Sequence, residues 1–122
     1  MDLEHVTSQV IRFRDERDWK QFHTPKNLAA ALAIEAAELQ EAMLWKTDTE
    51  AEALAASKAG HQSLSDEVAD VMIYVLLFCE SAGIDPSAAI QMKLRKNAEN
   101  YPVEKARGKA AKYNVLQDEV RE

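Results

Sequence analysis

The chain predicts an all-α fold, a four-helix bundle, on three observations. Alanine, leucine, glutamate, glutamine and lysine are abundant, while only three glycines and three prolines occur among 122 residues, too few for the tight turns of a sheet. Apolar residues recur at helical spacing in the long segments between breaks. The breaks themselves, "FHTPKN", "AGIDPSAA" and "NYP", carry the prolines and caps that stop and restart helices.

A first helix is expected from about Leu3 to Lys20, with Leu3, Val6, Val10 and Phe13 as its stripe. Pro25 disfavours helix at Thr24 and removes a backbone donor, so the chain turns there. A second helix is expected from Asn27, as N-cap, to Trp45. The polar, alanine-rich connector "TDTEAEALAASKAGHQ", residues 47–62, is compatible with a short helix or an open segment closed by Gly60. A third helix should start at Ser63 or Ser65 and end with Gly83 in the C′ position. Asp85 as N-cap and Pro86 at the first helical position start a fourth, which reaches about Tyr101 before Pro102 stops it. The whole chain reads as one domain, with a helical core over about 3–101. Residues 102–122 form a C-terminal arm carrying Lys105, Arg107, Lys109 and Lys112 that requires a surface to lie on.

From Val68 to Cys79 the third helix is apolar almost all the way round, and such a helix must be surrounded. A bundle this small rarely surrounds a helix alone, so the core is expected to be completed by homo-oligomerisation, as a dimer or a dimer of dimers. The formal charge of -6 argues against nucleic acid or an anionic membrane as main partner. The single Cys79 has no partner for an internal disulfide, "MDLEHVTSQV" has no basic n-region, and Val71 to Cys79 is too short to span a bilayer. A cytoplasmic location is expected.

The stretch "LAIEAAELQEAMLWK" places Glu35 in the stripe formed by Leu28, Leu32, Leu39 and Met43, with Glu38 at its edge. Glu67 and Asp70 in "SLSDEVADVMIY" repeat the same three-residue spacing on the third helix. Residues at i and i+3 project from one face, so two antiparallel helices at ~8–10 Å can bring four carboxylates to a point. Four anions in a partly buried site require cations. An all-oxygen ligand set suits Mg²⁺ or Mn²⁺ rather than zinc, and neither pair ends in the histidine of a di-iron motif. A solvated helix face, or cross-helix ion pairs to Lys93 or Lys96, would satisfy the same carboxylates without metal.

Aromatic and polar residues supply substrate-like chemistry. Trp19 and His23 lead into the break before the second helix, Trp45 closes that helix, and Tyr74 lies one turn beyond Asp70. Aromatic faces of this kind stack on nucleobases, although each residue alone reads equally well as core. Lys93, Asn97 and Tyr101 form a polar ridge at i, i+4 and i+8, suited to phosphate or to plain solvent.

Together, "EAAE", "DEVAD", "DVMIYVLLF" and "KLRKNAENYP" resemble the MazG-like all-α nucleoside triphosphate pyrophosphohydrolases. The segments "RDWKQFHTPKNLAAALAIEAAELQEAMLWK" and "YPVEKARGKAAKY" are most similar to the dCTP pyrophosphatase branch, and the resemblance runs from about Phe13 to Tyr113. The connector from Leu39 to Asp66 departs from the wider family in length and composition.

The resemblance implies Mg²⁺ ligation by Glu35, Glu38, Glu67 and Asp70, with Mn²⁺ as substitute. It implies base and sugar contacts from Trp19, His23, Trp45 and Tyr74, and phosphate or metal-shell contacts from Lys93, Asn97 and Tyr101. It also implies closure of the site by Arg107, Lys109, Lys112 and Tyr113. The implied reaction is cleavage of dCTP or a modified dCTP between the α and β phosphates, with Glu38 accepting a proton from the attacking water. Action on dUTP, another damaged nucleotide or phosphoribosyl-ATP stays open, as does a non-enzymatic helical interaction module.

Overall fold

The computed structural model describes residues 2–111 and is helical throughout its regular structure. The chain divides into two compact units, the first ending at Ile84 and the second starting at Asp85. In the first, α1 (Leu3–Glu16) is capped by Asp2, whose carboxylate accepts the His5 N–H at 2.8 Å. A 3₁₀ turn (Lys20–Phe22) leads to α2 (Pro25–Glu41), α3 (Asp48–Ala56) and the 25-residue α4 (Lys58–Ala82). Helix α4 is the shared partner, packing against α1, α2 and α3. The core gathers Leu28 of α2 with Leu76, Leu77 and Cys79 of α4. In the second unit, α5 (Pro86–Asn100) starts as expected at the Asp85 cap with Pro86 at its first position, and Val103–Ala106 form the single turn α6.

Several boundaries differ from the sequence reading, each for a local reason. Helix α1 stops at Glu16 rather than Lys20, because Asp18 takes a left-handed conformation at φ +54° and redirects the chain. Helix α2 is capped by Thr24, not Asn27: the Thr24 hydroxyl accepts the Asn27 N–H, and the Asn27 side chain donates back to the Phe22 carbonyl. It ends at Glu41, so Trp45 sits in the turns after the helix instead of closing it. The connector is ordered as α3, held by a capping box in which Thr47 and Glu50 satisfy each other's backbone N–H groups. Ser57 then caps α4, which starts earlier than Ser63 and carries Gly60 inside its first turn rather than at a break. Gly83 ends it in the left-handed conformation, φ +69°, as the sequence predicts. Within the C-terminal arm, Val103–Ala106 form a turn of helix. Among the described residues no helix is long and apolar enough to cross a membrane.

Candidate active site

The packing of α2 on α4 brings Glu35, Glu38 and Glu67 together, with one carboxylate oxygen of each within 4.8 Å of the others. Glu35 and Glu67 are half-buried and Glu38 is exposed. Desolvation raises the Glu35 carboxyl above the ordinary glutamate range, and the Glu38, Asp70 and Glu67 charges raise it further. Desolvation likewise raises Glu67, with Glu38 and Asp70 next. Asp70 thus lies within electrostatic reach of both, though outside the three-oxygen group itself.

Among the described residues of the first unit, no ion pair reaches this cluster. Those present join Arg12 to Glu16, Arg14 to Asp15 and Glu80, and Arg17 to Glu16, away from the three glutamates. Glu67 Oε2 is buried and meets no hydrogen-bond donor. A buried carboxylate oxygen without a donor is costly, and a cation is the partner its chemistry accepts. Three oxygen donors, with no sulfur or imidazole among them, fit a hard divalent ion.

Beside the cluster, α1 and α4 enclose a largely apolar groove of about 900 Å³. Trp19, His23, Asp70 and Tyr74 all line it, so four of the residues singled out in the sequence share one wall system. Burial lowers the His23 imidazole below the usual histidine range and the Arg14 charge adds to that; its Nδ1 is buried without a partner. Trp45 is not among the lining residues and is 92% exposed. Lys93, Asn97 and Tyr101 belong to the second unit, where Lys93 and Asn97 border a shallow depression on α5 with Ile90 and Leu94. Arg107 and Lys109 follow α6, while Lys112 and Tyr113 lie outside the described residues.

Sequence reasoning passed over Arg14 and Glu80. Arg14 is 3% exposed and lies in the wall of the groove. The signal was present: Val6, Val10 and Arg14 are four apart, so the arginine occupies the next place in an apolar stripe.

Residues 30–116 match the MazG-like family, and the chain belongs to that family. It is 39% identical to the mouse protein named dCTP pyrophosphatase 1, over 93% of this chain and 67% of the relative. The human dCTP pyrophosphatase 1 is 37% identical over the same shares. Among solved structures, a pyrophosphatase from Archaeoglobus fulgidus superposes with a TM-score of 0.72 at 41% identity, covering 82% of this chain and 92% of that one.

Proposed function

We propose that this chain is a Mg²⁺-dependent nucleoside triphosphate pyrophosphohydrolase. Its substrate is dCTP or a modified dCTP, cleaved between the α and β phosphates to the monophosphate and pyrophosphate. The observation that carries the reading is the Glu35–Glu38–Glu67 cluster with its orphaned Glu67 oxygen, set in a chain 39% identical to a dCTP pyrophosphatase. Glu35, Glu38 and Glu67, with Asp70 adjacent, would hold the ion. When bound, it neutralises triphosphate charge and makes water a better nucleophile near neutral pH.

The protein's own groups do the rest. Glu38, the exposed carboxylate of the three, accepts a proton from water as the water oxygen bonds to the α-phosphorus. The bond from that phosphorus to the bridging oxygen breaks, and pyrophosphate leaves with the electron pair. Trp19 and Tyr74 offer aromatic faces to the base, and His23 adds a polar contact in the same groove. A base contact from Trp45, which stands outside the groove and is exposed, rests on the family resemblance alone. Phosphate-binding roles for Lys93, Asn97, Tyr101, Arg107, Lys109 and Lys112 rest on the family resemblance. On this reading residues 1–122 act as one functional domain, in a cytoplasmic homo-oligomer built as a dimer of dimers.

A panel of nucleoside triphosphates with Mg²⁺, following pyrophosphate and orthophosphate separately, tests the proposal. Pyrophosphate released first, and fastest from dCTP or a 5-substituted dCTP, is the expected result. Orthophosphate as first product would overturn α–β cleavage, and a preference for dUTP would move the substrate assignment.

A further inference from the structure

The groove has a charged support that the proposed reaction does not use. Arg14 is the one buried charged side chain among the described residues. Its Nη1 donates to Glu80 Oε2 at 2.6 Å, while Nε and Nη2 donate to Asp15 Oδ1 at 2.9 and 2.8 Å. Placing a guanidinium at 4% side-chain exposure is costly, and replacing such a pair with apolar groups is often neutral or stabilising. Stability alone therefore gives little reason for it.

What the pair holds is the loop between α1 and α2. The Arg14 carbonyl accepts the N–H groups of Arg17 and Trp19, both at 3.2 Å, so the loop starts from the anchored residue. The Trp19 ring then meets Phe13 edge-on, with centroids 5.9 Å apart. At the far end, the hydroxyl of Ser81, next to Glu80, donates to the His23 carbonyl at 3.2 Å. Between these points Asp18 keeps φ at +54°, a conformation a non-glycine residue retains when its surroundings fix it. The loop is thus tied to the ends of α1 and α4, and the Arg14–Glu80 pair ties those ends to each other.

We propose that Arg14 and Glu80 are positioning residues for substrate binding: their ion pair locks the loop that presents Trp19 and His23, so that this wall of the groove is formed before substrate arrives. The inference rests on reading the groove as the nucleotide site. Preorganisation of this kind lowers the ordering cost of binding and leaves the carboxylate cluster untouched. Its mark is a change in KM with little change in kcat.

The test compares the parent protein with Glu80→Gln and with the double variant Arg14→Met/Glu80→Leu, which removes both charges and keeps apolar volume. For dCTP with Mg²⁺, both variants are expected to raise KM, the double variant about tenfold, with kcat within about twofold of the parent. In a Trp45→Phe background, Trp19 emission should shift to the red in both variants, because the loosened ring meets more water. Unchanged KM and unchanged Trp19 emission in variants that melt cooperatively would overturn the proposal, and so would a fall in kcat at constant KM. If the parent releases no pyrophosphate from any triphosphate, the functional reading fails, and the Trp19 comparison still decides whether the pair fixes the loop.

Discussion

Glu67 concentrates the chemistry of the site in one side chain. Its Oε2 is buried without a donor, and its carboxyl is raised first by desolvation and then by Glu38 and Asp70. Glu35 is raised in the same way. A carboxyl whose folded pKa lies above its unfolded value binds more protons in the folded state. Metal-free stability therefore falls as pH rises from the ordinary glutamate range through the raised folded values. A divalent ion needs the deprotonated form, so it competes with those protons. The gain in melting temperature from saturating Mg²⁺ should be larger at about pH 8 than at about pH 5. Glu67→Gln and Glu35→Gln should abolish that gain while leaving the metal-free protein as stable as the parent or more so. Their kcat for pyrophosphate release should fall by about two orders of magnitude or more. A Glu67→Gln enzyme with full activity and an unchanged response to Mg²⁺ would remove the metal assignment. At this scale the sequence was legible where a residue broke a pattern: Glu35 interrupts an apolar stripe, and the structure gives it like-charged neighbours from the facing helix. Arg14 broke a stripe too, but its partner Glu80 is 66 positions away, a pairing no local pattern contains.

At the scale of elements, boundaries were readable when set by the residues beside them and obscure when set by a neighbouring element. Asp85, Pro86 and Gly83 mark their helix ends by their own backbone chemistry. By contrast, α2 ends at Glu41 with no breaker near it. The N–H groups of Met43, Leu44 and Lys46 instead turn to carbonyls three residues back. Gly60 is the opposite case, a residue that resembles a break but lies within the first turn of α4, where the close approach of α3 leaves no room for a side chain. A Cβ there would overlap the Leu54 carbonyl oxygen and lie 2.6 Å from Ser57 Oγ. Gly60→Ala should therefore destabilise by about 1–3 kcal/mol through overpacking, outweighing a helix-propensity gain of about 1 kcal/mol at most. Gly83→Ala meets no atom within 4 Å and should cost only about 1 kcal/mol, for the left-handed backbone. Urea denaturation of the two variants measures both values. A Gly60→Ala protein more stable than the parent would show that the junction between α3 and α4 gives way more easily than its contacts imply.

For the molecule as a whole, the decisive feature is what α4 leaves uncovered. Leu76, Leu77 and Cys79 are buried within one chain, yet Val68 and Val75, on the same helix and outside the groove, remain 43% and 37% exposed. Ile34 of α2 is 59% exposed as well. Apolar side chains placed on the longest helix, rather than scattered over loops, are a surface that association would remove from water. Under the proposed homo-oligomer, light scattering should give a mass that is a multiple of the 13.7 kDa chain, and the melting temperature should rise with protein concentration. Val75 does not line the groove, so Val75→Glu can burden association without touching the wall that carries Trp19 and Tyr74. That variant should lose mass toward the single chain and melt at a lower, concentration-independent temperature, because a buried unpaired carboxylate opposes the contact. A parent protein that already has the mass of one chain at high micromolar concentration would remove the oligomer from the account. It would leave the exposed face of α4 to some other apolar partner.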